Sequence, residues 1–206
     1  MMRATTKLPA LAAGLWMLLV VPASALADPT PPDQLVHSTA DAVFMVLRED
    51  SGNDMKALTE VVDTKVVDHF DFGAMTRLAV GKHWRTADDA QRRALVEEFR
   101  TLLVRTYSVA LQQFVDYEID YRPLTLEPGA KQAVVQTSVT KGGSKPIRMD
   151  YRMIARDSGW KVYDVLVDGV SLVVNYRSLF GSTVDRSGID GLIRLLRDKN
   201  AAGTTG

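Results

Sequence analysis

The chain has 206 residues, of which 46% are apolar or aromatic and 24% charged. This composition is typical of a folded protein with a sizeable core, and it excludes a disordered or fibrous chain. The 25 basic and 25 acidic residues balance, which predicts no general electrostatic attraction to nucleic acid or anionic lipid. Cysteine is absent, so disulfide bonds, thiolate nucleophiles, Cys-ligated zinc and iron–sulfur clusters are excluded.

The N-terminus has the three regions of a cleaved secretory signal peptide. Arg3 and Lys7 precede an apolar run over residues 8–21, and residues 25–27 form an Ala-x-Ala cleavage site. The run is shorter than the roughly 20 residues that span a bilayer, which favours cleavage over a membrane anchor. We therefore expect an exported protein, periplasmic in a Gram-negative cell, whose net charge after losing two basic residues is about −2.

The remaining chain shows no internal division. It has no second apolar stretch of membrane length, no repeat and no linker rich in Pro, Gly or Ser. We predict a signal peptide over residues 1–27, one domain over 28–200 and a disordered tail over 201–206.

Apolar residues recur with a helical period in the first half of that domain. Asp71 is a predicted N-cap, and the Thr86-x-x-Asp89 spacing resembles a capping box at the start of a long helix. Four helices are predicted, over residues 35–47, 55–70, 71–78 and 86–114.

At Tyr117 the period changes to two residues, which predicts strands. Four strands are predicted around residues 117–122, 133–139, 147–153 and 160–162, with short turns that impose antiparallel pairing. After Asp168 the helical period returns, with a last helix from about Gly188 to Lys199. Helices, then strands, then helices indicate an α+β fold, with a helical layer packed on a curved four-stranded antiparallel sheet.

The sequence contains little recognisable catalytic chemistry. It has no His-Glu-x-x-His, Gly-x-Ser-x-Gly, Gly-x-Gly-x-x-Gly or P-loop motif. His37, His69 and His83 fall on separate predicted helices, which favours surface or interhelix positions over metal ligation. We predict no metal site, no cofactor and no enzymatic activity.

One carboxylate keeps an enzyme alternative open. By strict alternation Asp164 shares the inward sheet face with Trp160 and Val162, and a carboxylate in an apolar cone can serve an isomerase or hydrolase as general base. In the competing interpretation Asp164 caps nearby backbone, or a bulge turns other residues inward. Those residues are Tyr163, Val165 and Val167.

Several stretches carry a resemblance to a known family. They are Phe70-Asp71-Phe72-Gly73-Ala74-Met75, Gly159-Trp160-Lys161-Val162-Tyr163-Asp164-Val165, Asp168-Gly169-Val170-Ser171-Leu172-Val173 and residues 83–85, 95–107, 151–153, 175–177 and 188–192. In this order they resemble the periplasmic phospholipid-binding MlaC family, also called the toluene-tolerance auxiliary family. Residues 28–60 carry little of the resemblance.

The resemblance implies an NTF2-like cone that encloses an apolar lipid cavity. The function it implies is a soluble, monomeric phospholipid carrier between the outer and inner membranes, which maintains outer-membrane lipid asymmetry. Its implied partners are phospholipid as cargo, an inner-membrane ABC transporter with an MCE-domain subunit, and an outer-membrane lipoprotein–porin complex. A small-molecule isomerase using Asp164 and a non-catalytic envelope interaction module remain the alternatives.

Apolar and aromatic residues on the sheet face and helices are the candidate lipid contacts, with Arg177 as a candidate partner of the phosphate. Methionines such as Met75 suit acyl chains of variable length because the thioether side chain repacks easily. The predicted lipid-binding residues are Phe72, Leu103, Tyr107, Leu111, Ile119, Tyr121, Val135, Val139, Met149, Tyr151, Met153, Trp160, Val162, Tyr176 and Arg177.

Overall fold

The computed structural model of the protein describes residues 30–49 and 55–202. The predicted signal peptide, and most of the predicted tail, lie outside these residues.

The first two predicted helices are present, and the second has an irregular end. Helix α1 spans Pro32–Glu49 and α2 spans Met55–Val61. The chain then continues as a π-helix, Val62–Val66, and a 3-10 helix, Val67–His69, so the predicted uniform helix to residue 70 is wrong. The backbone N–H of Val67 donates to the carbonyl of Val62, five residues back. This wider spacing is the π-type bond.

Two side-chain caps set the starts of the next helices. Asp71 caps α3 (Phe72–Val80), as predicted, because its carboxylate accepts from the Ala74 N–H at 2.8 Å. Helix α4 spans Asp89–Leu111 and begins later than predicted, because Asp88 and Gln91 form the capping box. A 3-10 helix, Gly81–Arg85, precedes it, and a second, Gln112–Phe114, follows it.

The sheet has five strands in sequential antiparallel order. The strands are β1 (Glu118–Tyr121), β2 (Gln132–Thr140), β3 (Ile147–Arg156), β4 (Gly159–Val167) and β5 (Val170–Ser171). The four predicted strands are present. The fifth was missed because two residues are too few to show an alternating pattern.

A bulge in β4 changes which residues face inward. Met153 pairs with Val162, whereas the preceding Arg152 pairs with Asp164, so Tyr163 is an extra residue on β4. Because a bulge shifts the alternation by one residue, strict alternation from Trp160 to Asp164 fails.

Helix α5 spans Arg177–Ala202 after a 3-10 helix, Val174–Tyr176. Gly188 breaks the helical backbone with φ 69° and ψ 179°, a region open to glycine, so a second helical segment begins where it was predicted. Of the predicted tail, Ala201 and Ala202 are helical, and residues 203–206 lie outside the described residues.

Among residues 30–49 and 55–202, three clusters of buried side chains hold the helices and the sheet together. The helical cluster joins α3, α4 and α5 through Met75, Ala79, Val80, Leu95, Phe99, Leu102, Leu103, Val173, Phe180, Leu192, Ile193 and Leu196. The sheet cluster joins the start of α1 to β2, β3 and β4 through Val36, Ala133, Val135, Met153, Trp160, Val162 and Val165. The lateral cluster joins α1, α2 and the π-helix through Val43, Leu47, Leu58, Val62 and Val67.

Within residues 30–49 and 55–202, no helix combines the length and hydropathy that crossing a bilayer requires.

Candidate functional site

A cavity of about 390 Å³ lies where the three clusters meet, between the sheet and the helices. Its size is within the range of small-molecule binding sites. From the helices and their connections it is lined by Leu35, Val36, Thr39, Ala40, Val43, Phe44, Val62, Val66, Val67, His69, Phe70, Phe72, Met75, Leu103, Val104, Tyr107, Ser108, Ala110, Leu111 and Phe114. From the sheet and the loop after β5 it is lined by Ile119, Val139, Met149, Tyr151, Met153, Val162, Val165, Val167 and Leu172.

The lining is almost entirely hydrocarbon. Among the described residues that form it there is no Asp, Glu, Lys or Arg. The polar side chains are Thr39, His69, Tyr107, Ser108 and Tyr151. Because an unpaired charge is costly to bury and apolar area is favourable to bury, this wall suits a hydrocarbon ligand and disfavours a charged one.

The two cavity tyrosines are held in their neutral form. Burial, and then the neighbouring Tyr176 hydroxyl, raises the pKa of Tyr107 to about 12. Burial raises the pKa of Tyr151 to about 12, against the opposing effect of its hydrogen bond with Thr137. Both phenols therefore stay uncharged at neutral pH, and the apolar wall carries no phenolate.

His69 is the ionisable base of the lining. Its pKa lies below the usual value because burial, and then the positive charge of Lys161, disfavour the imidazolium, while the Asp68 carboxylate opposes them. His69 is therefore mainly neutral at neutral pH and able to donate one hydrogen bond and accept another.

Ten of the fifteen predicted lipid-binding residues line the cavity. They are Phe72, Leu103, Tyr107, Leu111, Ile119, Val139, Met149, Tyr151, Met153 and Val162.

Three predicted residues on the sheet lie outside the lining. Val135 is 1% exposed and packs with Trp160 in the sheet cluster, where the start of α1 covers the strands. Tyr121 lies at the end of β1 and stacks on His37 with ring centroids 4.2 Å apart. The structure places these three residues in the sheet cluster or against α1, and not in the lining.

The two remaining predicted residues, at the end of the last 3-10 helix and at the start of α5, are also outside the lining. Tyr176 packs edge-on against Phe99 in the helical cluster, with ring centroids 5.1 Å apart. Arg177 lies across Gly81, where its Nε is 3.1 Å from the position that a Cβ would occupy. The structure therefore places Arg177 against the turn after α3, and its predicted role as the phosphate partner is not supported by its position.

Asp164 lies away from the cavity, as the bulge interpretation requires. Val165 and Val167 turn inward and line the wall, whereas Tyr163 does not. The Asp164 carboxylate is fully buried and accepts from the Ser171 hydroxyl at 2.8 Å and the Val173 N–H at 3.5 Å. It therefore holds the β5 connection rather than serving as a base toward a ligand in this cavity.

The contribution of α1 to the lining was not predicted from the sequence. Leu35, Val36, Thr39, Ala40, Val43 and Phe44 line the cavity from one face of this helix. Their spacing of three and four residues was the available signal, since it marks a single helical face. The π-helix adds Val62 and Val66, which were expected to be ordinary helix positions.

Known proteins resemble this chain in sequence and fold. The family model described as MlaC protein matches residues 37–198. A toluene tolerance protein, ttg2D of Pseudomonas putida, is 28% identical over 109 residues, which are 53% of this chain and 50% of that protein. The matched part of the chain thus spans about half the length of that relative.

The fold also matches a solved structure, the phospholipid-binding protein from Ralstonia solanacearum in complex with a phospholipid. The two chains are 30% identical with a TM-score of 0.73, and the match covers 82% of this chain and 97% of the other. Since the family model covers most of the described residues and the solved structure shares the α+β fold, the chain belongs to the MlaC family.

Proposed function

We propose that this protein binds a phospholipid with its acyl chains in the cavity and carries it between the inner and outer membranes. The observation that carries the proposal is the cavity wall, which is apolar and has no carboxylate, ammonium or guanidinium group among its described residues. The Ralstonia solanacearum relative, whose structure contains a phospholipid, supports the choice of ligand.

The energetics explain why such a carrier needs an enclosed site. Exposing hydrocarbon to water costs about 0.8 kcal/mol per CH₂, so two chains of about 15 methylenes each would cost on the order of 24 kcal/mol if carried without protection. A cavity wall of valine, leucine, methionine and aromatic side chains removes much of that cost. The free protein would otherwise keep an empty apolar space, which loses packing contacts.

The location and partners are part of the same proposal. A carrier between two membranes acts in the periplasm, which fits the predicted signal peptide. The proposed partners are an inner-membrane ABC transporter with an MCE-domain subunit and an outer-membrane lipoprotein–porin complex, and the proposed result is maintenance of outer-membrane lipid asymmetry.

Native mass spectrometry of protein purified without detergent tests lipid binding. We expect one phospholipid per protein, and a lower Tm after delipidation that recovers when phospholipid is added back. Transfer of a labelled phospholipid from donor to acceptor vesicles then tests carriage. Absence of stoichiometric phospholipid together with a Tm that ignores added lipid would contradict the proposal, and so would chemical conversion of the lipid during transfer.

A further inference from the structure

The hydrocarbon lining of the cavity includes one imidazole, that of His69. His69 lines the cavity and is half-buried, between the exposed Asp68 and Phe70, which also lines the cavity. His69 thus lies where the apolar wall approaches solvent.

The backbone brings this segment alongside β4. Phe70 and Val162 form a parallel bridge, and the Asp71 N–H donates to the Val162 carbonyl at 2.8 Å. On the neighbouring residue of β4, the Lys161 Nζ donates to the Asp68 carbonyl. This bond uses one of the three ammonium hydrogens and holds the positive charge beside His69.

Neither of the nearby carboxylates, Asp68 and Asp71, forms an ion pair with Lys161 beside His69. The Asp71 carboxylate is already occupied, since it accepts from the Ala74 N–H and from Arg156 at 2.9 and 2.6 Å. The Asp68 carboxylate is exposed to solvent, and its effect on His69 is smaller than that of Lys161. The stronger charged neighbour of the imidazole is therefore a cation, Lys161.

We propose that His69 and Lys161 bind the phosphodiester of the lipid whose chains fill the cavity. The inference rests on the function proposed above and assigns the headgroup end of that site. A phosphodiester carries one negative charge and accepts several hydrogen bonds, so it matches an imidazole N–H together with an ammonium group. The chains enter the hydrocarbon wall that begins at Phe70, while the phosphate stays near water.

The placement makes lipid binding depend on pH. A bound phosphate favours the imidazolium, which burial and Lys161 disfavour in the free protein, so lipid binding raises the pKa of His69. By linkage, protons and phospholipid then favour each other's binding, and retention strengthens as pH falls through the titration of His69. The charged groups that act on this titration are Lys161 and Asp68, and the Asp71–Arg156 pair lies two residues further along the chain.

Variants compared on two ligands separate this site from the cavity. The ligands are phosphatidylglycerol and diacylglycerol with the same acyl chains, the second lacking the phosphate. We expect His69→Leu and Lys161→Met each to lower the ratio of phosphatidylglycerol retention to diacylglycerol retention by about tenfold. The control is Lys145→Met, an exposed lysine in the turn between β2 and β3, which should alter neither.

The outcomes separate the two proposals. Wild-type protein that retains neither ligand would overturn the carrier function and this site with it. If the wild-type protein retains both ligands, variants that lose the two ligands equally, or that lose neither ligand, would overturn only the assignment of His69 and Lys161.

A measurement on the wild-type protein avoids any dependence on variant folding. With ¹⁵N-labelled histidine, the imidazole signal missing in His69→Gln identifies His69, and its titration is followed in each loaded form. We expect a higher pKa with phosphatidylglycerol than with diacylglycerol. Equal values would overturn the site, and an equal rise with free diethyl phosphate at the same concentration would show an anion site unrelated to the lipid.

Discussion

Arg156 donates two hydrogen bonds to one carboxylate oxygen of Asp71, while the other oxygen accepts the backbone N–H of Ala74. A single side chain thus caps α3 and ties it to the end of β3. Phe72 and Met75, in the first turns of α3, line the cavity. The position of this part of the wall therefore depends on a local cap and a long-range ion pair together.

Removing the carboxylate should therefore destabilise the fold. We expect Asp71→Ala to lower the free energy of unfolding by about 1–3 kcal/mol, since an N-cap contributes about 0.5–2 kcal/mol and the partly exposed ion pair up to about 1 kcal/mol. Asp71→Asn retains the cap and should lose only the ion-pair part. Urea denaturation measures the free energy of unfolding of both variants. Equal losses in the two variants would show that the cap and the ion pair do not contribute separately.

The N-caps of α3 and α4 show how far local sequence predicts the start of a helix. Asp71 was predictable because its partner, Ala74, lies three residues away along the chain. Thr86 offered a similar signal, but its hydroxyl donates to the His83 carbonyl at 2.9 Å, and Asp88 caps α4 instead. Thr86 and Asp88 are thus two competing N-cap candidates for α4. The buried Ala87 lies between them, and the helix begins after the second candidate.

The alternating pattern of a strand predicts which residues are buried, but it does not predict which of them line the cavity. Val135 and Val139 lie on the same face of β2 and are 1% and 2% exposed, yet only Val139 lines the cavity. The difference is made by α1, whose Val36 packs with Val135 in the sheet cluster. No pattern within β2 records where a helix about 100 residues earlier is placed. The bulge at Tyr163 was undetermined for a similar reason, because it is defined by pairing with β3.

Met149 in the cavity lining and Val135 in the sheet cluster allow a paired test that distinguishes a cavity residue from a core residue. Met149→Trp adds volume to the cavity wall, so we expect lipid content to fall while the free energy of unfolding changes little. Val135→Trp overpacks a closed core and should cost about 1–3 kcal/mol or more. Lipid extraction and urea denaturation are measured on both. A Met149→Trp protein that keeps its full lipid content would remove this residue from the site.

The neutral tyrosines predict a loss of stability in alkali. Burial raises the pKa values of Tyr107, Tyr121 and Tyr151 to about 12, above the value of about 10 in an unfolded chain. The unfolded state therefore releases protons first. The contribution of these three tyrosines to the free energy of unfolding is fully present below about pH 10 and is lost progressively as pH rises from about 10 to 12.

Urea denaturation at a series of alkaline pH values measures this loss, and tyrosinate absorbance reports the ionisation directly. Tyr151→Phe removes one of the three groups and should make stability fall less steeply with pH. A wild-type protein whose tyrosines all ionise near pH 10 while folded would contradict the interpretation.

Asp164 gives a test that also addresses the enzyme alternative. Its carboxylate is fully buried and accepts from Ser171 and Val173, with an Arg152 guanidinium nitrogen 3.5 Å from its second oxygen. Asp164→Asn keeps the size but loses the charge, and we expect a loss of about 1–3 kcal/mol because buried partners are left poorly satisfied. Phospholipid retention by the folded variant should equal that of the wild type, because Asp164 is outside the lining. A reaction that consumes a small molecule in the wild type and disappears in folded Asp164→Asn would instead assign this carboxylate to catalysis.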